Sequence, residues 1–160
     1  MRIIDGSGPA SGLTFAVVVS KYNDFVTDRL EKGALAALAH AGVRDDDVTV
    51  IRVPGAYEIP TAARMAAETH GFNGVIGLGC LIRGATPHFE YISSAVAHGL
   101  TTAAGETGVP MAFGVLTTNS AEEALERAVD GPSNKGWEAA MATVEMALIA
   151  AELARGTAHA

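Results

Sequence analysis

Between two apolar runs, the stretch GCLIRGATPHFEY (Gly79–Tyr91) carries a guanidinium on Arg83, a hydroxyl on Thr86 and an imidazole on His88. Gly84 and Ala85 leave main-chain amides uncovered by bulky side chains, while Thr86 followed by Pro87 reads as a helix cap and first helical residue. Such a start can hold a small anion. Equally, Thr86 can simply cap the helix, Glu90 complement its dipole and Arg83 serve in a structural ion pair. Among five histidines, His40 and His70 fall at helix ends, His98 inside a helix and His159 in the tail. Only His88 falls at a strand-to-helix corner, where an imidazole can move protons near neutral pH.

Further candidates follow the other strand-like runs. Tyr22 and Tyr57 can face a planar ligand or act as core aromatics with a wet hydroxyl. Glu58 can accept hydrogen bonds from a polyol or serve only as a first-turn charge. Phe113, inside a strand, reads as core, and Arg127, late in a short helix, suits the helix dipole. Lys135 opens the last helix, where a positive charge is mildly unfavourable, so it is expected to have another task. No histidine has a partner at metal-ligand spacing and Cys80 is the sole cysteine, so no metal site is expected. GLGC lacks a third glycine at dinucleotide-binding spacing, and no phosphate-binding GxxxxGK[ST] loop occurs.

The elements that must position these residues are four apolar runs without polar alternation, Thr14–Ser20, Val48–Pro54, Gly74–Cys80 and Pro110–Leu116. They read as strands buried on both faces. Helical patterns lie between them: Phe25–Ala41 closed by Gly42, Ile59–His70 closed by Gly71, and Thr86–Ala104 closed by Gly105. Ser120-Ala-Glu-Glu123 is a capping box opening a short helix to about Ala128, and the loop VDGPSN leads to a final helix. Strand alternating with helix predicts a three-layer α/β/α sandwich with a four-stranded parallel sheet and helices on both faces. Ligands of such sheets bind beyond the carboxyl ends of the strands, where the candidates cluster.

With 160 residues the chain fits one domain, 1–160; the Gly-rich residues 1–10 are expected to be loose or to pair with a neighbouring subunit's sheet. A net charge of −7 and a pI near 5.1 oppose nucleic acid or an anionic membrane as partner. The lone cysteine and the absence of a signal-like start favour the cytoplasm. In WEAAMATVEMALIAAELA, Glu138, Glu145 and Glu152 recur every seven residues, so the stretch is an amphipathic helix and not a membrane span. Only 18% of residues are charged against 49% hydrophobic, which hints at oligomerisation.

Together SKYNDFVTDRLEKGA, VPGAYEIP, GCLIRGATPHFEYIS, PMAFGVLTTNSAEEALERA and NKGWEAAMATVEMA resemble lumazine synthases over roughly residues 10–153. The resemblance implies a flavodoxin-like fold and a condensation of 5-amino-6-(D-ribitylamino)uracil with 3,4-dihydroxy-2-butanone 4-phosphate, without cofactor or metal. It implies Tyr22 stacked on the pyrimidine, Ala56, Tyr57 and Glu58 on the ribityl chain, and main-chain contacts from Cys80, Leu81 and Ile82. Ala85, Thr86 and Arg127 would hold the butanone phosphate, and His88 would donate a proton. Phe113 and Lys135 would border the ligand, with Phe113 and the Arg127 region supplied by an adjacent subunit. Pentamers, or decamers and icosahedral shells built from them, and association with riboflavin synthase are further implications. The other reading is a paralogue that binds flavin or forms a shell without catalysis. The family often has Phe at positions 22 and 57 and Thr at position 80. Where its loop commonly reads GTKAGNKG, this chain has VDGPSNKG: one lysine is missing and Pro132 stiffens the turn.

Overall fold

The computed structural model describes residues 1–158; His159 lies outside them. Four parallel strands, β1 (Phe15–Ser20), β2 (Val48–Val53), β3 (Gly74–Ile82) and β4 (Met111–Thr118), form one sheet in the order β2-β1-β3-β4. Successive residues of β1 and β3 point to opposite faces, and each face has its own core. Phe15, Val17, Val19, Ile76, Leu78 and Cys80 pack under α1 (Asp24–His40) and α5 (Lys135–Ala158). Ala16, Val18 and Val75 pack under α2 (Ile59–Glu68) and α3 (His88–Thr107). This is the expected three-layer sandwich, and the apolar runs without alternation are its two-faced central strands. The edge strand β2 is the exception, only partly buried along most of its length.

The element ends differ from expectation in instructive ways. β3 runs on to Ile82 and β4 to Thr118, because their ladder continues through Cys80↔Leu116 to Ile82↔Thr118. Helix α3 starts at His88, with Pro87 in the cap position and no side-chain cap, so Thr86 does not cap it. It runs through Gly105 and stops at Gly108, whose φ of 74° lets its amide reach the Ala104 carbonyl at 2.9 Å. Helix α2 is closed by His70, at φ 60°, in place of Gly71; Thr69 Oγ1 donates to the Ala66 carbonyl (2.7 Å) and accepts from the Gly71 amide (3.1 Å). The capping box at Ser120 forms, its hydroxyl accepting from the Glu123 amide at 3.1 Å, but α4 (Ala121–Glu126) is shorter than expected.

The N-terminal residues form no strand, and Gly6 and Ala10 are buried, Ala10 donating to the Ala41 carbonyl at 2.9 Å. Across the sheet, α1 and α5 meet closely because Gly33 lies against Asn134 and Gly136 against the Leu30 carbonyl, with no room for a Cβ. Asn134 is fully buried: Oδ1 accepts from the Gly136 and Trp137 amides (2.7 and 3.2 Å) and Nδ2 donates to the Arg29 carbonyl (3.2 Å). It therefore caps α5 and ties that helix start to α1. Glu138 and Glu145 are exposed on α5, as their spacing requires. No described helix is long and apolar enough to cross a membrane.

Candidate active site

Strand order reverses between β1 and β3: the chain leaves β1 for β2 on one side and leaves β3 for β4 on the other. The two connections diverge at the carboxyl ends and leave a crevice, as open parallel sheets do at such a switch point. A cleft of about 760 Å³ occupies it, lined by Tyr22 and Asn23 after β1, Pro54–Glu58 after β2, and Leu81, Ile82, Gly84, Thr86 and His88 from the end of β3 into α3. Phe89, Tyr91 and Ile92 complete it from the first turns of α3.

Small residues set the depth of this cleft. The turn Ala56–Glu58 lies directly over β3 because Gly77 and Gly79 present no side chain there. A Cβ on Gly79 would stand 3.1 Å from Ile59, 3.3 Å from the Ser20 hydroxyl and 3.4 Å from Ala56. The cleft's polar groups are unspent. Tyr22, Tyr57, Glu58, Thr86 and His88 have no side-chain hydrogen bond or ion pair with another described residue. Tyr22 and Tyr57 are 71% and 65% exposed, which excludes a core role and leaves two rings free to hold a planar ligand. Ala85 lies exposed in the turn between Gly84 and Thr86.

Cys80 lies behind the wall, 1% exposed, and burial pushes its thiol up to about 11. It is a protonated core residue and no nucleophile. Arg83 is committed as well. It pairs with Glu90, donates from Nε to Asn119 (3.1 Å), and covers the Phe89 ring with its guanidinium carbon 4.6 Å from the centroid.

Phe113, Arg127 and Lys135 gather elsewhere, in a second depression of about 440 Å³ beside the edge strand β4. Phe113 is 43% exposed there, contrary to the core role its strand position suggested, because β4 is an edge with no further strand beside it among the described residues. The Arg127 guanidinium donates to the Glu123 carbonyl at 2.9 Å, and Lys135 Nζ stands 2.9 Å from Glu138. One chain therefore carries two separate depressions: one with ring, hydroxyl, carboxylate and imidazole groups, and one with a pair of cations beside a phenyl ring.

Asn23 and Tyr91 line the cleft and were not singled out from sequence. Tyr91 falls one helical turn after His88, on the same face of α3, a spacing that could have revealed it. Among the described residues no group of three His, Cys, Asp or Glu side chains could hold a metal ion.

This arrangement has relatives. The family model described as 6,7-dimethyl-8-ribityllumazine synthase matches residues 12–151. A curated 6,7-dimethyl-8-ribityllumazine synthase of Syntrophus aciditrophicus (strain SB) is 50% identical over 144 residues, covering 90% of this chain and 94% of the relative. With strand order, cleft and family match in agreement, the chain belongs to the lumazine synthase family.

Proposed function

We propose that the protein is a 6,7-dimethyl-8-ribityllumazine synthase, condensing 5-amino-6-(D-ribitylamino)uracil with 3,4-dihydroxy-2-butanone 4-phosphate and releasing phosphate and water. The observation that carries this reading is the convergence of three strand ends on one cleft whose rings, carboxylate, hydroxyl and imidazole are all unpartnered. Tyr22 stacks on the pyrimidine, and Ala56, Tyr57 and Glu58 hold the ribityl chain through main-chain and carboxylate contacts. At the end of β3 the main-chain groups of Cys80 and Ile82 meet the ring edge, while those of Leu81, which the resemblance groups with them, turn toward β4.

The butanone phosphate binds at the start of α3. Pro87 has no amide and Thr86 is not consumed in capping, so the Ala85–Thr86 turn and the open first-turn amides face the anion. A guanidinium adds a charge-assisted clamp, which the resemblance assigns to Arg127; Arg83, nearer in sequence, is already paired with Glu90. The uracil's amine attacks the substrate ketone and forms an imine with loss of water; phosphate then leaves, and the ribityl-bearing amine closes the ring on the remaining carbonyl with loss of a second water. His88 moves the protons from the first turn of α3, a contribution of about 10²–10⁴ in rate. Holding two reactants in contact supplies several more kcal/mol of the barrier reduction.

Phe113, Arg127 and Lys135 stand beside β4, away from the cleft, so a second copy must supply them. Two different patches in contact make a head-to-tail interface, which closes into a ring. We propose a pentamer, the ring the resemblance implies, with decamers or icosahedral shells as its higher assemblies, residues 1–10 reaching a neighbouring sheet, and riboflavin synthase as an associated partner. We also place the enzyme in the cytoplasm, where the unpaired Cys80 stays reduced. No feature of the cleft favours a carrier or a shell protein without catalysis. Purified protein mixed with both substrates is expected to form fluorescent lumazine well above the spontaneous background. Tight flavin binding with no turnover would contradict the enzyme.

A further inference from the structure

Asparagine is among the best helix caps because its side-chain oxygen accepts from a first-turn amide. Asn23 stands at the cap of α1, yet its side chain makes no cap bond. Its Nδ2 donates instead to the main-chain carbonyl of Cys80, 2.9 Å away and 57 residues along the chain. To do so the residue holds φ 62° and ψ 44°, a left-handed conformation that asparagine tolerates better than most side chains. A backbone held there in place of a simple cap marks a site where position matters.

What it positions is the end of β3. Pairing of β1 with β3 stops at Val19↔Leu78, whereas β3 continues beside β4 to Ile82↔Thr118. Past Leu78, then, one edge of β3 has no strand beside it and borders the cleft. Along an extended strand the amide and carbonyl of one residue face one edge and those of the next face the other. The Arg83 amide donates to the Thr118 carbonyl on β4 at 2.8 Å, while the Cys80 carbonyl faces Asn23 on the opposite side. Leu81's main-chain groups therefore belong to the β4 ladder, and those of Ile82 face the open edge with Cys80. A uracil ring, with donors and acceptors on its rim, can pair with that edge as a strand would.

We propose that Asn23 is a positioning residue for this ring. Its one hydrogen bond clamps the open edge of β3 to the β1–α1 turn. Because Tyr22 is the preceding residue, the same bond fixes the distance between the ring that stacks on the pyrimidine and the edge that pairs with it. This inference rests on the lumazine-forming reading above.

The test is steady-state kinetics of N23D and N23G with both substrates, beside thermal unfolding. Asn23→Asp keeps size and left-handed tolerance but loses the donor; Asn23→Gly keeps only the backbone freedom. In both, KM for the aminouracil is expected to rise by about tenfold or more, while KM for the butanone phosphate stays within about twofold. An aminouracil KM within about twofold of wild type in N23D, or both KM values rising together, overturns the positioning role. A wild-type protein that forms no lumazine overturns the functional reading itself, a separate result.

Discussion

At the residue scale, Cys80 and Arg83 are both spent on structure, while Tyr22, Glu58 and His88, the last the residue the sequence singled out most sharply, are left free. The thiol of Cys80 gives a signed prediction. Its folded value of about 11 lies above the 9.0 of an unburied thiol, so the folded chain keeps this proton longer than the unfolded one. Its contribution to stability is complete below pH ~9 and is lost as pH rises toward ~11, by about 2 kcal/mol. Denaturant unfolding of wild type and Cys80→Ala across that range should show wild type losing this advantage; parallel curves would mean the thiol titrates normally. Most of these residues were legible because they follow strands, where doubly wound sheets hold ligands. Asn23 was not, because its partner lies in another strand 57 residues away, a pairing that only the fold creates. Phe113 was misread because burial along an edge strand depends on what lies beside it.

At the scale of elements, the central strands were legible because parallel strands covered on both sides must be apolar throughout. Their ends were not: β3 and β4 extend by ladder pairing through Leu81, Ile82, Thr117 and Thr118, whose types suit a strand but do not say where pairing stops. Glycine shows the same divide. Gly105 and Gly136 both lie in helices, but a Cβ on Gly105 meets nothing within 4 Å, whereas on Gly136 it would strike the Leu30 carbonyl of α1. Gly105→Ala should therefore stabilise the fold by about 0.5–1 kcal/mol through helix propensity. Gly136→Ala gains at most the same amount and meets immovable backbone, so a net loss of about 1–2 kcal/mol is expected. Thermal unfolding of the two variants should shift in opposite directions. Shifts of one sign would mean that α1 and α5 can move apart.

At the scale of the whole molecule, Phe113, Val129 and Met146 are all at least 43% exposed, on β4, the segment leading into α5 and α5 itself. Large apolar side chains left open in this way fit an association surface. The low charge content pointed the same way in the sequence, where the resemblance already assigned Phe113 and the Arg127 region to an adjacent subunit; the fold adds that they lie beside β4, in a depression separate from the one His88 lines. The direct measurement is complementation. His88→Ala leaves the β4 half-site whole, and Arg127→Ala leaves the cleft whole. Each variant alone should make lumazine at roughly a hundredth of the wild-type rate or less. Co-expressed in equal amounts in a ring with shared sites, about a quarter of the sites pair an intact cleft with an intact β4 face. Lumazine formation by the mixed assembly should then recover to roughly a quarter of wild type. A mixture no faster than the average of its two parents would contradict a lumazine-forming site completed by a second copy.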